Sequence, residues 1–313
     1  MTVISGKRIG LVGCGEWGKH VLRDLVNLGA AVTVMARSDE SRARAENGGA
    51  SSIVSNVEEI PDVDGIVVVV PVSRHVDVLE RVLPRGVPVF IEKPMTDHPE
   101  SADRMAAMGA GRLFVMEKWR YHSAIRRASE IIRSGRLGEI RGISTRRVQP
   151  GTRHHGTDAI WVLLPHDVSI FHELAGGLPE PGIAVAERTP DGRVAGLVSL
   201  SPGPPFFAAE VSVRSPVHRR EIRVEGDQAV LFWDDSSPAE IRIFRGVDFS
   251  SVTAADVERI ELEDSMPLFD DLKGFLEFLD GGPPPRCSAA VGALCVRWIA
   301  GIRSRAGLPA NDR

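Results

Sequence analysis

Residues Arg8–Gly18 read RIGLVGCGEWG. Ile9, Leu11 and Val12 form a short apolar run that stops at a glycine, as a strand buried in a parallel sheet does. Gly13, Gly15 and Gly18 follow at the spacing G-x-G-x-x-G, and an amphipathic segment begins at once with Val21, Leu22, Leu25, Val26 and Leu28. In a turn of this kind Gly13 makes the tight bend, Gly15 lets the backbone approach a pyrophosphate, and Gly18 lets the helix pack on the strand. The helix N-terminus adds unsatisfied N–H groups and a partial positive charge. A strand before and a helix after separate a dinucleotide-binding turn from an ordinary glycine-rich bend. Glu16 and Trp17, inside the turn, join the three glycines as expected cofactor-binding residues.

Ala31–Met35 (AVTVM) is the next strand, and the residues after it choose the cofactor. A carboxylate there would hold the ribose 2′-hydroxyl of NAD, whereas an arginine suits the 2′-phosphate of NADP. The positions are Ala36, Arg37 and Ser38, with no carboxylate before Asp39. Arg37 and Ser38 are therefore expected to hold the phosphate, which favours NADP(H). Gly65–Val70 (GIVVVV) reads as a central strand covered on both faces. It ends at Pro71, with Ser73, Arg74 and His75 before a helix. Strand ends of this kind line the ligand crevice of an open α/β sheet, so Pro71 and His75 are expected beside the cofactor. The next strand, Val87–Ile91, ends in Glu92-Lys93-Pro94, which fixes a lysine at the carboxyl end of the sheet.

Composition sets the outer bounds. A chain of 313 residues suggests about two domains at roughly 100–200 residues each. A net charge of −4 and a single tyrosine argue against a nucleic-acid surface. Three scattered cysteines suit neither a disulfide framework nor a zinc site. With no apolar run near 18 residues and no signal-peptide core, the expectation is a cytoplasmic protein acting on a small molecule, with no membrane partner.

The G-x-G-x-W-G turn, the strand end Val70-Pro71-x-x-x-His75 and Glu92-Lys93-Pro94 together resemble the Gfo/Idh/MocA family of oxidoreductases. Trp119-Arg120-Tyr121-His122 and Ser134–Arg141 (SGRLGEIR) extend the resemblance over essentially the whole chain. The resemblance implies an N-terminal Rossmann domain with a doubly wound parallel sheet, expected over 1–119. It also implies a C-terminal α+β domain with a large open, mainly antiparallel sheet, expected over 120–313. Strand candidates at Ile183–Arg188, Val194–Leu200, Phe207–Arg214, Arg219–Val224, Ala229–Trp233 and Glu240–Phe244, with no helices between them, agree with the second sheet. Helices are expected at Ser123–Arg133, at Asp270–Leu279 and around Val291–Ile299.

By the same resemblance Lys93 is the catalytic acid/base and also contacts cofactor and substrate, with Glu92 beside the cofactor. Arg120 and Tyr121 are expected at the substrate, and the oligomer is expected to form on the exposed sheet face.

His154, His155, Asp158, His166, Asp167 and His172 crowd one stretch, at a spacing that matches no standard zinc pattern, so no metal is expected. The family's second motif, D-x-x-x-H, matches Leu164-Pro165-His166-Asp167-Val168 at its histidine end. This implies that His166 holds the reacting oxygen, with His154 nearby at the substrate. Four residues before His166 the family usually has aspartate, and here stands Val162. Asp158 is the candidate substitute, two turns away if the segment is one helix, although Pro165 could instead mark the helix start. The expected activity is hydride transfer between a nicotinamide and a hydroxyl or carbonyl carbon of a sugar, sugar derivative or cyclitol. The alternative, prompted by Val162, is a non-catalytic dinucleotide sensor on the same fold. Among Arg133, Arg136, Arg141, Arg146, Arg147 and Arg153, strand alternation sends Arg146 and Arg147 to opposite faces.

Overall fold

The computed structural model describes residues 6–151, 157–246, 253 and 256–309. The chain divides into two compact units, Met1–Lys118 with Met266–Val296, and Trp119–Ser265 with Arg297–Arg313.

The first unit is built on six parallel strands: β1 (Arg8–Val12), β2 (Ala31–Met35), β3 (Ser52–Val54), β4 (Gly65–Val68), β5 (Val89–Glu92) and β6 (Leu113–Met116). Their order is β3-β2-β1-β4-β5-β6, so the winding reverses between β1 and β4. Ligands of such sheets bind outside the strand ends at that reversal. Strands β1, β2, β4, β5 and β6 bury nearly every residue, which is why they read as unbroken apolar runs rather than alternating ones. Helices α1 (Gly18–Asn27), α2 (Asp39–Asn47), α3 (His75–Val82) and α4 (Pro99–Met108) follow in the crossovers. Helix α4 was not anticipated, since its buried residues are only Ala102 and Met105.

The expected single cut near residue 119 is replaced by a chain that returns. After α5 (Ser123–Arg133) and α6 (Ala159–Ala175) in the second unit, α7 (Pro267–Leu279) packs on the first sheet. Its stripe of Leu272, Phe275 and Leu276 is buried, and Phe275 stacks on Phe90 of β5 at 4.9 Å. An amphipathic helix joins whichever sheet its stripe fits, and sequence order does not decide that.

The second unit carries β7 (Ile140–Pro150), β8 (Ile183–Arg188), β9 (Val194–Ser201), β10 (Phe206–Ser212), β11 (Arg214–Gly226), β12 (Ala229–Asp234), β13 (Glu240–Arg245) and β14 (Val257–Glu261). The order is β14-β13-β12-β11-β7-β10-β9-β8, antiparallel except where β10 lies parallel to β7. Helix α6 packs on β7, β9 and β10 and covers one face. Phe171 of α6 meets Phe207 of β10 at 4.4 Å, and Trp298 of α8 (Ala289–Arg305) lies 5.2 Å beyond. The other face is open. Along β8 and β9, Ile183 and Val185 are each 73% exposed, opposite Leu200 at 46% and Val198 at 58%. Among the described residues no helix is long and apolar enough to cross a membrane.

Helix α6 is one continuous helix with Pro165 inside it. It starts at Asp158, whose carboxylate accepts the Trp161 N–H at 3.0 Å, and stops at Gly176 with φ of +78°. Pro165 therefore does not mark the start. Val162 lies one turn before His166, and Asp158 two.

Candidate active site

In the first unit the turn after β1 is tied to both flanking strands. The Gly13 N–H bonds the Met35 carbonyl at 3.1 Å, and the Val69 N–H bonds Val12 at 2.9 Å. Gly13 has φ of +102°, and a Cβ on it would come within 2.4 Å of the Val69 carbonyl oxygen. A Cβ on Gly18 would lie 2.6 Å from the Gly13 oxygen. Among the described residues beyond its chain neighbours, nothing lies within 4 Å of a Cβ placed on Gly15. Two glycines are thus demanded by the protein itself, whereas at the third the backbone faces open space. The indole N–H of Trp17 is buried with no acceptor among the described residues, and the Lys118 ammonium lies 4.6 Å over its ring. An open backbone, an unused donor and a nearby cation fit an anionic dinucleotide.

Past β2, Ala36 is buried and Arg37 exposed. Ser38 caps α2: its hydroxyl accepts the Ser41 N–H at 3.2 Å and donates to the Ser41 hydroxyl. A ligand phosphate would share that hydroxyl with the helix. Arg42 reaches the Ala36 carbonyl at 3.4 Å, which adds a second guanidinium to the strand end. Glu16 is exposed and paired with Arg44 at 2.5 Å and Lys19 at 2.8 Å, so it organises cations around the turn.

Lys93 follows β5 directly. Burial pushes the Glu92 carboxyl up from the usual range, while Lys93 and Lys118 draw it down. Pro71 is exposed, but His75 is 1% exposed and meets backbone at both nitrogens. Its Nδ1 lies 2.9 Å from the Pro94 oxygen and its Nε2 2.9 Å from the Val70 oxygen. His75 thereby fastens the Lys93-Pro94 turn to the end of β4. Its burial holds the imidazole below its ordinary pKa.

In the second unit, His166 lies beside an aromatic cluster. Trp119 stacks on His122 at 4.9 Å, is 6.0 Å from Trp233 and 6.5 Å from His166. The Arg147 guanidinium covers the Trp119 ring at 4.4 Å and forms a two-point ion pair with Asp167, at 2.8 and 3.3 Å. Burial raises the Asp167 carboxyl, and Arg147 and Thr145 oppose that. Arg146, on the other face, pairs with Glu210 at 2.8 Å. The alternation that separates these arginines was readable. The partner of Arg147 was not.

Two expected site residues also brace the framework. Asp158 caps α6 and is ion-paired with fully buried Arg303. Arg120 is 2% exposed and holds α6, donating to Ser169 at 2.7 Å and Glu173 at 3.1 Å, with His172 at 3.2 Å. Tyr121 is part-buried in the same short turn, Lys118–Tyr121. His154 lies outside the described residues. Sequence reasoning passed over Lys118, Trp119, Trp233 and Arg220 as site residues. The aromatic residues next to charged ones at strand ends were the available signal.

Residues 7–113 match the oxidoreductase family with an NAD-binding Rossmann fold, Gfo/Idh/MocA. The match spans the first unit's parallel sheet up to the start of β6. UDP-N-acetylglucosamine 3-dehydrogenase of Acidithiobacillus ferrooxidans is 26% identical over 237 residues, covering 73% of this chain and 72% of its own. Inositol 2-dehydrogenase 4 of Saccharopolyspora erythraea is 32% identical over 117 residues, covering 34% of this chain and 35% of its own. The solved structure of the Acidithiobacillus enzyme superposes with a TM-score of 0.83 at 20% identity, over 96% of this chain and 97% of that one. It shares the fold of both units.

Proposed function

We propose that this chain is a member of the Gfo/Idh/MocA family and an NADP(H)-dependent oxidoreductase acting on a hydroxyl or carbonyl carbon of a sugar, sugar derivative or cyclitol. The observation that carries the reading is the glycine turn, in which Gly13 and Gly18 are required by packing while Gly15 faces open space. The two relatives, named for a nucleotide sugar and for inositol, support the substrate class. Arg37 and Arg42 at the end of β2, with no carboxylate before Asp39, support NADP over NAD.

The nicotinamide, when bound, supplies or receives the hydride. Backbone N–H groups at Gly13–Gly18 and the start of α1 hold the phosphates, and Arg37 holds the 2′-phosphate. Lys93 gives or takes the proton on the reacting oxygen. His75 positions Lys93 by anchoring its turn, and His166 holds the reacting oxygen. Asp167 is committed to Arg147, so Val162 leaves the proton transfer to Lys93 and His166.

The test is calorimetric titration of nucleotide-stripped protein with NADPH and NADH, together with turnover on a screened keto-sugar. Lys93→Met should lower turnover by about 10²–10⁴-fold, the span of general acid–base catalysis, and leave NADPH binding intact. Arg37→Ala should weaken NADPH about ten-fold or more, one lost charge-assisted contact, with NADH unchanged. Turnover of Lys93→Met at the wild-type rate would overturn the reading.

Val162 favours one second reading, a dinucleotide sensor without turnover. Nucleotide-dependent capture of a protein partner, with no reaction on any sugar, would select it. The apolar rows Ile183–Leu200 and Val185–Val198 support a homo-oligomer through the open sheet face. Light scattering should find Val198→Glu shifted to a smaller assembly than wild type.

A further inference from the structure

Strands β7 and β11 set Arg147 directly opposite Arg220. Like charges facing each other across a ladder destabilise a sheet unless something answers both. For Arg147 the answer is Asp167, buried and paired through two hydrogen bonds. Arg220 has much less. Asp235 spends one oxygen on the Arg220 backbone N–H at 3.0 Å, and its other oxygen stands 3.5 Å from the guanidinium, past good hydrogen-bonding range. The Arg220 side chain is 38% exposed, and its guanidinium lies 5.9 Å over the Trp119 ring that Arg147 also covers. Burial and the charge of Arg147 push its pKa down, while Asp235 and Asp167 pull it up. Its planar fork carries five donors shaped for a carboxylate or phosphate. Trp233, buried against Trp119, donates its indole N–H to the Pro238 carbonyl.

We infer that Arg220, seated on Trp119 beside Trp233, is a subsite for an anionic substituent of the substrate, a carboxylate or a phosphate. The assignment rests on the proposed reading of His166 as the residue that holds the reacting oxygen, because His166 adjoins the same Trp119. A substrate held there offers its hydroxyl or carbonyl to His166 and its anion to Arg220. The buried Arg147–Asp167 pair keeps the Trp119 platform in place beneath both.

The test is calorimetry on the full chain saturated with NADPH, using D-glucuronate, D-glucose 6-phosphate, UDP-glucose and neutral D-glucose as probes. Tryptophan fluorescence, which reports on Trp119 and Trp233, is followed in parallel. At least one anionic sugar should bind about ten-fold or more tighter than glucose, the value of one charge-assisted contact. Arg220→Gln should remove that advantage. Arg219→Gln, exposed and paired with Glu221 at 2.5 Å, should keep it. An advantage for glucuronate assigns a carboxylate, and one for either phosphate-bearing probe assigns a phosphate. Absence of any anionic advantage, or its survival in a folded Arg220→Gln, overturns the subsite. An intact anionic advantage without hydride transfer overturns the enzyme reading and leaves the subsite standing.

Discussion

In the turn Gly13–Gly18 the groups offered to a ligand are backbone N–H groups, and side chains matter mainly by being absent. In α6 and the sheet beneath it the offered groups are side chains, each fixed by a partner distant in sequence. Arg147 answers Asp167 from 20 residues away, Arg120 answers Ser169 from 49, and Arg303 answers Asp158 from 145. The first kind of site is written locally, in spacing and in φ. The second is written in pairings that exist only after the sheet has assembled. One region fails when a Cβ is added, the other when a partner is taken away.

The largest effect should come from the distant pairings. Arg303→Leu leaves the Asp158 carboxylate buried without its partner, and breaking a buried ion pair this way costs about 3–5 kcal/mol. Thermal unfolding of the variant should show that loss in the second unit. NADPH binding to the material still folded should be unchanged. A variant as stable as wild type would mean that the pair adds nothing beyond the cap at Trp161.

A smaller and more local loss is expected at Gly13→Ala. Forcing an alanine into a positive-φ position costs about 1–3 kcal/mol, and here its Cβ also meets the Val69 oxygen at 2.4 Å. Binding of NADPH should weaken by about ten-fold or more as the turn shifts, and calorimetry reads it directly. Gly15→Ala makes the contrast sharper, because its Cβ meets nothing among the described residues. Its stability should stay at the wild-type level while its cofactor affinity falls. Equal cofactor affinity in both alanine variants and wild type would break the distinction between the two kinds of site.

The same contrast explains what could be read in advance. The parallel strands, the glycine turn and the cationic end of β2 follow from apolar runs and spacings within some thirty residues, and each expected element is present there. The strands of the second sheet up to β13 were legible from their turns, but β14 and the parallel seam of β10 on β7 were not, because register is decided by pairing across the sheet. Helix α7 shows the limit most plainly, since its stripe of Leu272, Phe275 and Leu276 is visible but the surface it covers is not. Histidines and acids were the least legible. His75 and Asp158 have the residue types of an active site, and their partners in the fold, backbone carbonyls and a buried arginine, were invisible to spacing. Arg220 was passed over because its environment, and not its spacing, singles it out.

The smallest predicted effect tests whether Arg120 belongs to the framework. His172 lies against the Arg120 guanidinium in a part-buried setting. Burial first, and then that cation, push its pKa from 6.5 down to about 4. Between those two values the unfolded chain binds a proton that the folded chain refuses. Stability contributed by the neutral ring is therefore full above pH 6.5 and drains away as pH falls toward 4. Solvent screening at a ring this exposed holds the effect at pH 5 to about 1 kcal/mol, or about 2 °C in melting temperature. His172→Gln should show a shallower loss than wild type between pH 7 and 5, with the difference gone above pH 7. Identical pH slopes in the two proteins would mean that burial and Arg120 together do not hold this ring neutral.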